Sequence, residues 1–143
     1  MPYLTNTVAR RIAWGECDPA GIVFYPRYFE MFDNCTTAMF SAATGLSKYQ
    51  MFETYKFAGY PMVDTRARFL IPCRFGDDVT IETTMTEAKR SSFLITHHLK
   101  KDDGELAVEA FETRVWVVRD PADASKIKSQ PIPPEVLAKL ARS

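Results

Sequence analysis

Neither sign of charge dominates this chain of 143 residues: eighteen lysines and arginines meet eighteen aspartates and glutamates. That balance argues against the general electrostatic adhesion to nucleic acid or anionic membrane that a basic surplus drives. Cysteine is scarce. Cys17, Cys35 and Cys73 are odd in number, far apart and never in a Cys-x-x-Cys pair, which fits a reducing compartment better than a disulfide framework. No apolar run reaches the length of a membrane span, and the opening MPYLTNTVARRIAW lacks the charged-then-apolar layout of a signal peptide. The expectation is a cytoplasmic protein. Internal repeats, low-complexity tracts, glycine-rich phosphate loops, zinc-ligand clusters and Gly-x-Ser-x-Gly elbows are all missing from the sequence.

What is present is an ordinary globular composition, 46% apolar and 25% charged, long enough for a single domain over 1–143 with a core that needs no staple. Residues 7–14, TVARRIAW, alternate loosely and predict a first strand. From Pro26 to Gly45 the pattern predicts a long helix, with Pro26 in the first turn and Gly45 as the stop. Tyr28, Phe32, Cys35, Met39 and Ala42 recur at spacings of four and three and give one apolar face. Phe29, Met31, Phe40 and Ala43 carry apolar surface beyond it, so this helix must be wrapped by other structure.

Residues 48–57 predict a second, short helix. After Gly59 and Pro61 the period drops to two, and 63–71, 78–88, 91–101 and 105–118 predict strands. Val79, Ile81, Thr83 and Met85 share one face, and so do Phe93, Ile95, His97 and Leu99. Asp102-Asp103-Gly104 marks a hairpin turn, and SQPIPPEVLAKLARS predicts a turn and a short terminal helix. The layout is α+β, with one long helix packed on an antiparallel meander. One helix cannot cover both faces of such a sheet, so pairing with a second copy of the chain, a homo-oligomer, is expected.

The stretch WGECDPAGIVFYPRYFEMFD, residues 14–33, sets a carboxylate in a proline- and glycine-marked turn just ahead of the long helix. The run Asp18-Pro19-Ala20-Gly21-Ile22-Val23-Phe24-Tyr25-Pro26, then Tyr28 and Asp33, resembles the hot-dog-fold acyl-CoA thioesterases, and within them the 4-hydroxybenzoyl-CoA branch. GYP at 59–61, FGDDVTIET at 75–83 and KRSSF at 89–93 fall where that family has equivalents, and the order of elements agrees over nearly the whole chain.

The resemblance implies a hot-dog fold, a long central α-helix wrapped by a curved antiparallel β-sheet. It implies active sites at a dimer interface, with dimers often paired into tetramers, and no metal or organic cofactor. The implied reaction is hydrolysis of an aromatic acyl-CoA, so the partner is a small-molecule acyl-CoA rather than nucleic acid or membrane. It makes Asp18 the nucleophile or general base, the Tyr25 backbone N–H the donor to the thioester oxygen, and the Gly21 backbone a point of close approach. It places Asp33 at a phenolic hydroxyl of the substrate, with Phe29 and Tyr60 lining that pocket. It sets Lys89, Arg90 and Ser91 at the CoA phosphates; the family pattern has a basic triplet there, of which this chain keeps two positions.

Other readings stand beside these. Asp18 is also a good turn or N-cap residue, Asp33 a helix residue paired with an arginine, and Lys89 and Arg90 solvated turn charges. His97, in phase with apolar neighbours, reads as a satisfied core or interface histidine, and the Cys17 thiol has no histidine motif to activate it. The alternatives for the whole chain are a thioesterase for aliphatic acyl-CoA or acyl-carrier protein, and a non-catalytic acyl-CoA-binding module. A dehydratase is disfavoured because the helix region lacks the histidine signature.

Overall fold

In the computed structural model, which describes residues 2–141, the chain runs β1 (Thr5–Arg11), a single 3-10 turn (Trp14–Glu16), α1 (Tyr25–Thr44), α2 (Lys48–Tyr55), β2 (Met62–Phe69), β3 (Asp78–Ala88), β4 (Ser92–Lys101), β5 (Leu106–Val115), β6 (Val117–Asp120), β7 (Asp123–Ser129) and α3 (Pro134–Leu140). Five strands form one antiparallel sheet in the order β1-β3-β4-β5-β2. The expected meander is β3-β4-β5, with β1 and β2 added at its two edges. Burial alternates along β3 and β4 as the period of two requires, turning Ile81, Thr83 and Met85, and Phe93, Ile95, His97 and Leu99, toward the helix. At Thr86 the register slips between Met85↔Ile95 and Glu87↔Leu94. Such a bulge bends its strand, which helps the sheet curl around α1.

α1 begins and ends where its sequence signals. Pro26 occupies the first turn, and Gly45, at φ 73, closes the helix with its N–H on the Ser41 carbonyl. Tyr28, Met31, Phe32, Cys35, Thr36, Met39, Phe40 and Thr44 are buried. Ala42, expected on the apolar face, is exposed. The twisted sheet carries the contact stripe around the helix toward Phe40 and Thr44, and Ala42 falls off its trailing side. The N-terminal half packs on Ile12, Val23, Cys73, Val79, Ile81 and Leu99. The C-terminal half packs on Phe57, Tyr60, Phe93, Trp116, Val136 and Leu140. Burial raises the Cys35 thiol to about 11, so it behaves as a small apolar group.

Two strand expectations are corrected. The first strand covers Thr5–Arg11 rather than 7–14, because residues 14–16 tighten into the 3-10 turn. The single long strand over 105–118 breaks at Trp116, whose N–H leaves the ladder for the Ser91 carbonyl while its carbonyl accepts from Gln130. Its indole then sits in the C-terminal core, stacked 4.3 Å from the Phe57 ring. The chain continues as the β6–β7 ribbon, which the sequence did not suggest because all seven residues of β7 are exposed and show no alternation. No helix among the described residues is long and apolar enough to cross a membrane.

Where α1 meets β3, β4 and β5 there is a polar network inside the core. The Glu112 carboxylate accepts from the Thr36 hydroxyl (2.7 Å) and from Arg114 Nε (2.8 Å), and lies 3.1 Å from His97 Nε2. His97 Nδ1 is 2.8 Å from the Thr83 hydroxyl, and the imidazole stacks on Phe32. His97 is thus the satisfied core histidine its phase suggested. Burial by itself would raise the Glu112 carboxyl; the hydrogen bonds and charges of His97 and Arg114 outweigh that and hold it at about 2, against an ordinary 4.5.

The unfolded chain takes that proton near 4.5 and the folded chain only near 2. The stabilisation is therefore complete above pH 4.5 and is lost as pH falls from 4.5 to about 2. Glu112→Ala, which takes the buried carboxylate away from Arg114 Nε, the Thr36 hydroxyl and His97, should cost about 3–5 kcal/mol at neutral pH in denaturant melts. Glu112→Gln should flatten the acid limb of the stability curve between those two pH values, and an unchanged limb would remove Glu112 as its source.

Candidate functional site

The turn before α1 is built by its own residues. Gly21 N–H donates to the Asp18 carbonyl (2.9 Å), Asp18 N–H to the Ile22 carbonyl (2.9 Å), and Cys17 bridges Val23. Gly21 sits at φ 81, a left-handed conformation that an L side chain enters only at a cost of about 1–2 kcal/mol. Its N–H is spent on the turn, and a Cβ there would meet nothing within 4 Å. Gly21 is therefore required by the turn's geometry; a close approach to the acyl group is not what this chain by itself demands of it.

Asp18 Oδ1 accepts from the Ala20 N–H (2.9 Å), so the side chain also does the turn-forming work that was its alternative reading. Oδ2 engages no donor among the described residues. Asp18 lines a cavity of about 270 Å³ with Gly15, Cys17, Pro19, Phe24 and Arg27. At the adjoining helix start, Phe24 N–H is bonded to the Glu16 carbonyl, Arg27 N–H to the Phe24 carbonyl, and Pro26 has none. The Tyr25 N–H meets no acceptor among the described residues, and it points from the positive end of a 20-residue helix. Tyr25 lines a second cavity of about 390 Å³, walled by Ile22, Val23, Tyr28, Phe69, Ile71 and Pro72. Carboxylate and amide thus share one short turn but border different cavities of the single chain.

Asp33 lies further along α1. Its Oδ1 accepts from Arg114 Nη2 at 2.7 Å, which makes it the arginine-paired residue of its alternative reading, yet its side chain stays 56% exposed. With Lys48, Phe52, Tyr60, Pro61, Arg114 and Ile127 it borders a third cavity, of about 370 Å³. Tyr60 lines this cavity too, but its hydroxyl is taken by Thr37 (2.8 Å) and its carbonyl by Arg114 Nη1 (3.1 Å). It offers ring surface rather than a free hydroxyl. Phe29 is not in this group. It meets Phe69 edge-on at 6.3 Å, beside the Tyr25 cavity. Phe40 is sealed in the core and stacks on Tyr60.

Lys89, Arg90 and Ser91 form the β3–β4 turn, closed by Lys89 N–H on the Ser92 carbonyl (2.8 Å). Both cations are exposed, while the Arg90 and Ser91 carbonyls accept from Ile132 and Trp116 and pin the turn to the C-terminal core. A larger groove, of about 450 Å³, at the β1–β3 edge contains none of these residues, and its Arg11 and Asp78 are paired with each other at 2.8 Å. Arg114 and Glu112 are the site-region residues that the sequence reading missed. The signal was available: β5 places them in phase with Val108 and Ala110, on the buried face of the strand.

A model of the thioesterase-like superfamily matches residues 12–140. The 4-hydroxybenzoyl-CoA thioesterase of Pseudomonas sp. strain CBS-3 is 33% identical over 119 residues, which cover 80% of this chain and 84% of that protein. The solved structure of the enzyme from that strain superposes with a TM-score of 0.86 at 29% identity, covering 94% of this chain and 98% of that one. A mutant 4-hydroxybenzoyl-CoA thioesterase complexed with 4-hydroxybenzoyl-CoA gives 0.87 at 28% identity (96% and 99%). A gentisyl-coenzyme A thioesterase gives 0.79 at 32% identity (92% and 99%). These superpositions confirm the hot-dog fold, and with it the chain belongs to the thioesterase-like superfamily of thioester hydrolases.

Proposed function

We propose that this protein hydrolyses an aromatic acyl-CoA, 4-hydroxybenzoyl-CoA or a related hydroxylated ring, to the free acid and CoA. The observation that carries this is local to the turn before α1: one carboxylate with an unengaged oxygen and one unspent helix-end amide lie within eight residues, Asp18 to Tyr25. The Tyr25 N–H polarises the thioester carbonyl and stabilises the oxyanion as it forms. Asp18 Oδ2 either attacks the carbonyl carbon, giving a mixed anhydride that water then opens, or removes a proton from the attacking water. In both routes the C–S bond breaks, the CoA thiolate leaves and takes a proton, and the carboxylate is regenerated. The named relatives act on hydroxybenzoyl and gentisyl thioesters, which supports a hydroxylated ring as the acyl group. Asp33 is the acceptor for that hydroxyl. No metal or organic cofactor takes part in this scheme.

The working unit is a homo-oligomer whose site is completed by a second copy. Three observations support this. β2 forms one edge of the sheet and, among the described residues, pairs only with β5, leaving seven of its eight residues exposed. The walls of the Tyr25 cavity stand open, with Tyr25 59% and Phe69 48% exposed. Asp18 and Asp33 also border separate cavities of one chain. Lys89 and Arg90 are the phosphate contacts for CoA, as exposed cations at a turn whose backbone is pinned. Ser91 supplies a hydroxyl there in place of a third charge.

Free-thiol release should be fast with 4-hydroxybenzoyl-CoA, slower with benzoyl-CoA and slowest with a short aliphatic acyl-CoA. Asp18→Asn should lower turnover by about a hundredfold or more while substrate binding survives; near-normal turnover by that variant would sink the mechanism. Replacing Lys89 and Arg90 together by alanine should raise KM about tenfold, most strongly at low salt. Sedimentation should find dimers or larger assemblies, and a monomer with full activity would discard the shared pocket.

A further inference from the structure

We propose that Arg114 is the positioning residue of the ring-hydroxyl reader: it anchors Asp33 at the mouth of the Tyr60 cavity with one carboxylate oxygen bound and the other left for the ligand. The inference rests on the role of Asp33 given under Proposed function and adds the residue that makes that role possible.

An exposed carboxylate on a helix surface ordinarily samples several rotamers, and an ion pair between two exposed side chains does little to stop it. The pair here is unequal. Asp33 is 56% exposed, while the Arg114 side chain is only 4% exposed. The guanidinium is planar, and three of its N–H groups are committed in different directions: Nε to Glu112 (2.8 Å), Nη1 to the Tyr60 carbonyl (3.1 Å) and Nη2 to Asp33 (2.7 Å). The Tyr60 ring lies 5.4 Å below its carbon. Arg114 therefore has no freedom to follow a moving carboxylate, and Asp33 must come to it.

The anchor is itself anchored. Glu112 is held by Thr36 and His97, and His97 by Thr83 and the Phe32 ring. The line of contacts runs from β3 through β4 and β5 to α1, and Asp33 is its exposed end. Asp33 Oδ2 meets no donor among the described residues, and Asp33 lines the cavity, so a phenolic O–H entering there finds a carboxylate acceptor already oriented. Orientation paid in advance is what lets a polar contact discriminate between ligands.

The test uses the whole protein and two non-hydrolysable CoA thioethers, one with a 4-hydroxyphenyl group and one with a phenyl group, with Kd measured calorimetrically. Wild type should prefer the hydroxylated probe by roughly tenfold to a hundredfold, the range of one hydrogen bond to a charged group. Asp33→Ala should abolish the preference, and Arg114→Met should remove most of it, losing clearly more affinity for the hydroxylated probe than for the phenyl probe. Arg114→Lys keeps the charge but not the fork and should restore only part. In the doubly substituted protein, Arg114→Met should add nothing to the loss of preference caused by Asp33→Ala.

A preference that survives in Arg114→Met overturns this inference alone. So does a parallel loss of both affinities with the ratio unchanged, which marks a purely structural arginine. Should Arg114→Met fail to fold, by circular dichroism, an unchanged ratio in Arg114→Lys overturns it instead. A wild type that binds both probes equally overturns the reading of Asp33, and this inference with it.

Discussion

A carboxylate is buried between a helix and the sheet that wraps it, and the rest of the molecule is arranged to satisfy it. Glu112 does not rely on a single partner. It is held by a helix hydroxyl from Thr36, an imidazole from β4 and a guanidinium from its own strand. Removing any one leaves a charge or a donor unpaired in the core, where the cost is several times that at the surface. The helix register, the strand register and the curl of the sheet are thereby tied together. A slip of one residue in β5 would turn Glu112 and Arg114 to the outer face and bring Thr113 into the core.

The same network reaches the surface at one point. Arg114 extends from the core to Asp33, so a scaffold residue and a site residue share one hydrogen bond. The other end of α1 is organised differently. There the backbone itself is the functional element: a tight turn presents Asp18, and the Tyr25 amide, first in the helix, has no helical carbonyl one turn back to accept it. Around it the aromatic side chains Phe24, Tyr25 and Phe69 stay exposed rather than folding into the core. Apolar surface of this kind, gathered at a functional end, is what a ligand or a second copy of the chain covers.

How much of this could be read in advance depended on how local each signal was. The limits of α1 came from Pro26 and Gly45, and the inward faces of β3 and β4 from alternation over seven or more residues. His97 was placed correctly because its strand phase was unambiguous. Ala42 was misplaced because a straight helical wheel ignores the twist of the sheet that packs on it. The β6–β7 ribbon was missed because an exposed two-stranded ribbon needs no buried face and carries no period. The break at Trp116 was missed because nothing local marks a residue that leaves its ladder to fill a distant cavity in the core.

The candidate site divides along the same line. The order Asp-Pro-Ala-Gly ahead of an aromatic helix determined the turn, the helix start and the family resemblance, because those depend on φ preferences and on groups a few residues apart. Periodicity likewise determined that one helix would lie on a curved antiparallel sheet. Only the tertiary structure decided that Asp33 is gripped by Arg114, that Tyr60 has already committed its hydroxyl to Thr37, and that Phe29 faces Phe69 instead of Asp33. These pairings join residues 23 to 81 positions apart, and pairwise contacts at that separation are set by how strands and helix pack. No run of neighbouring residues encodes them on its own.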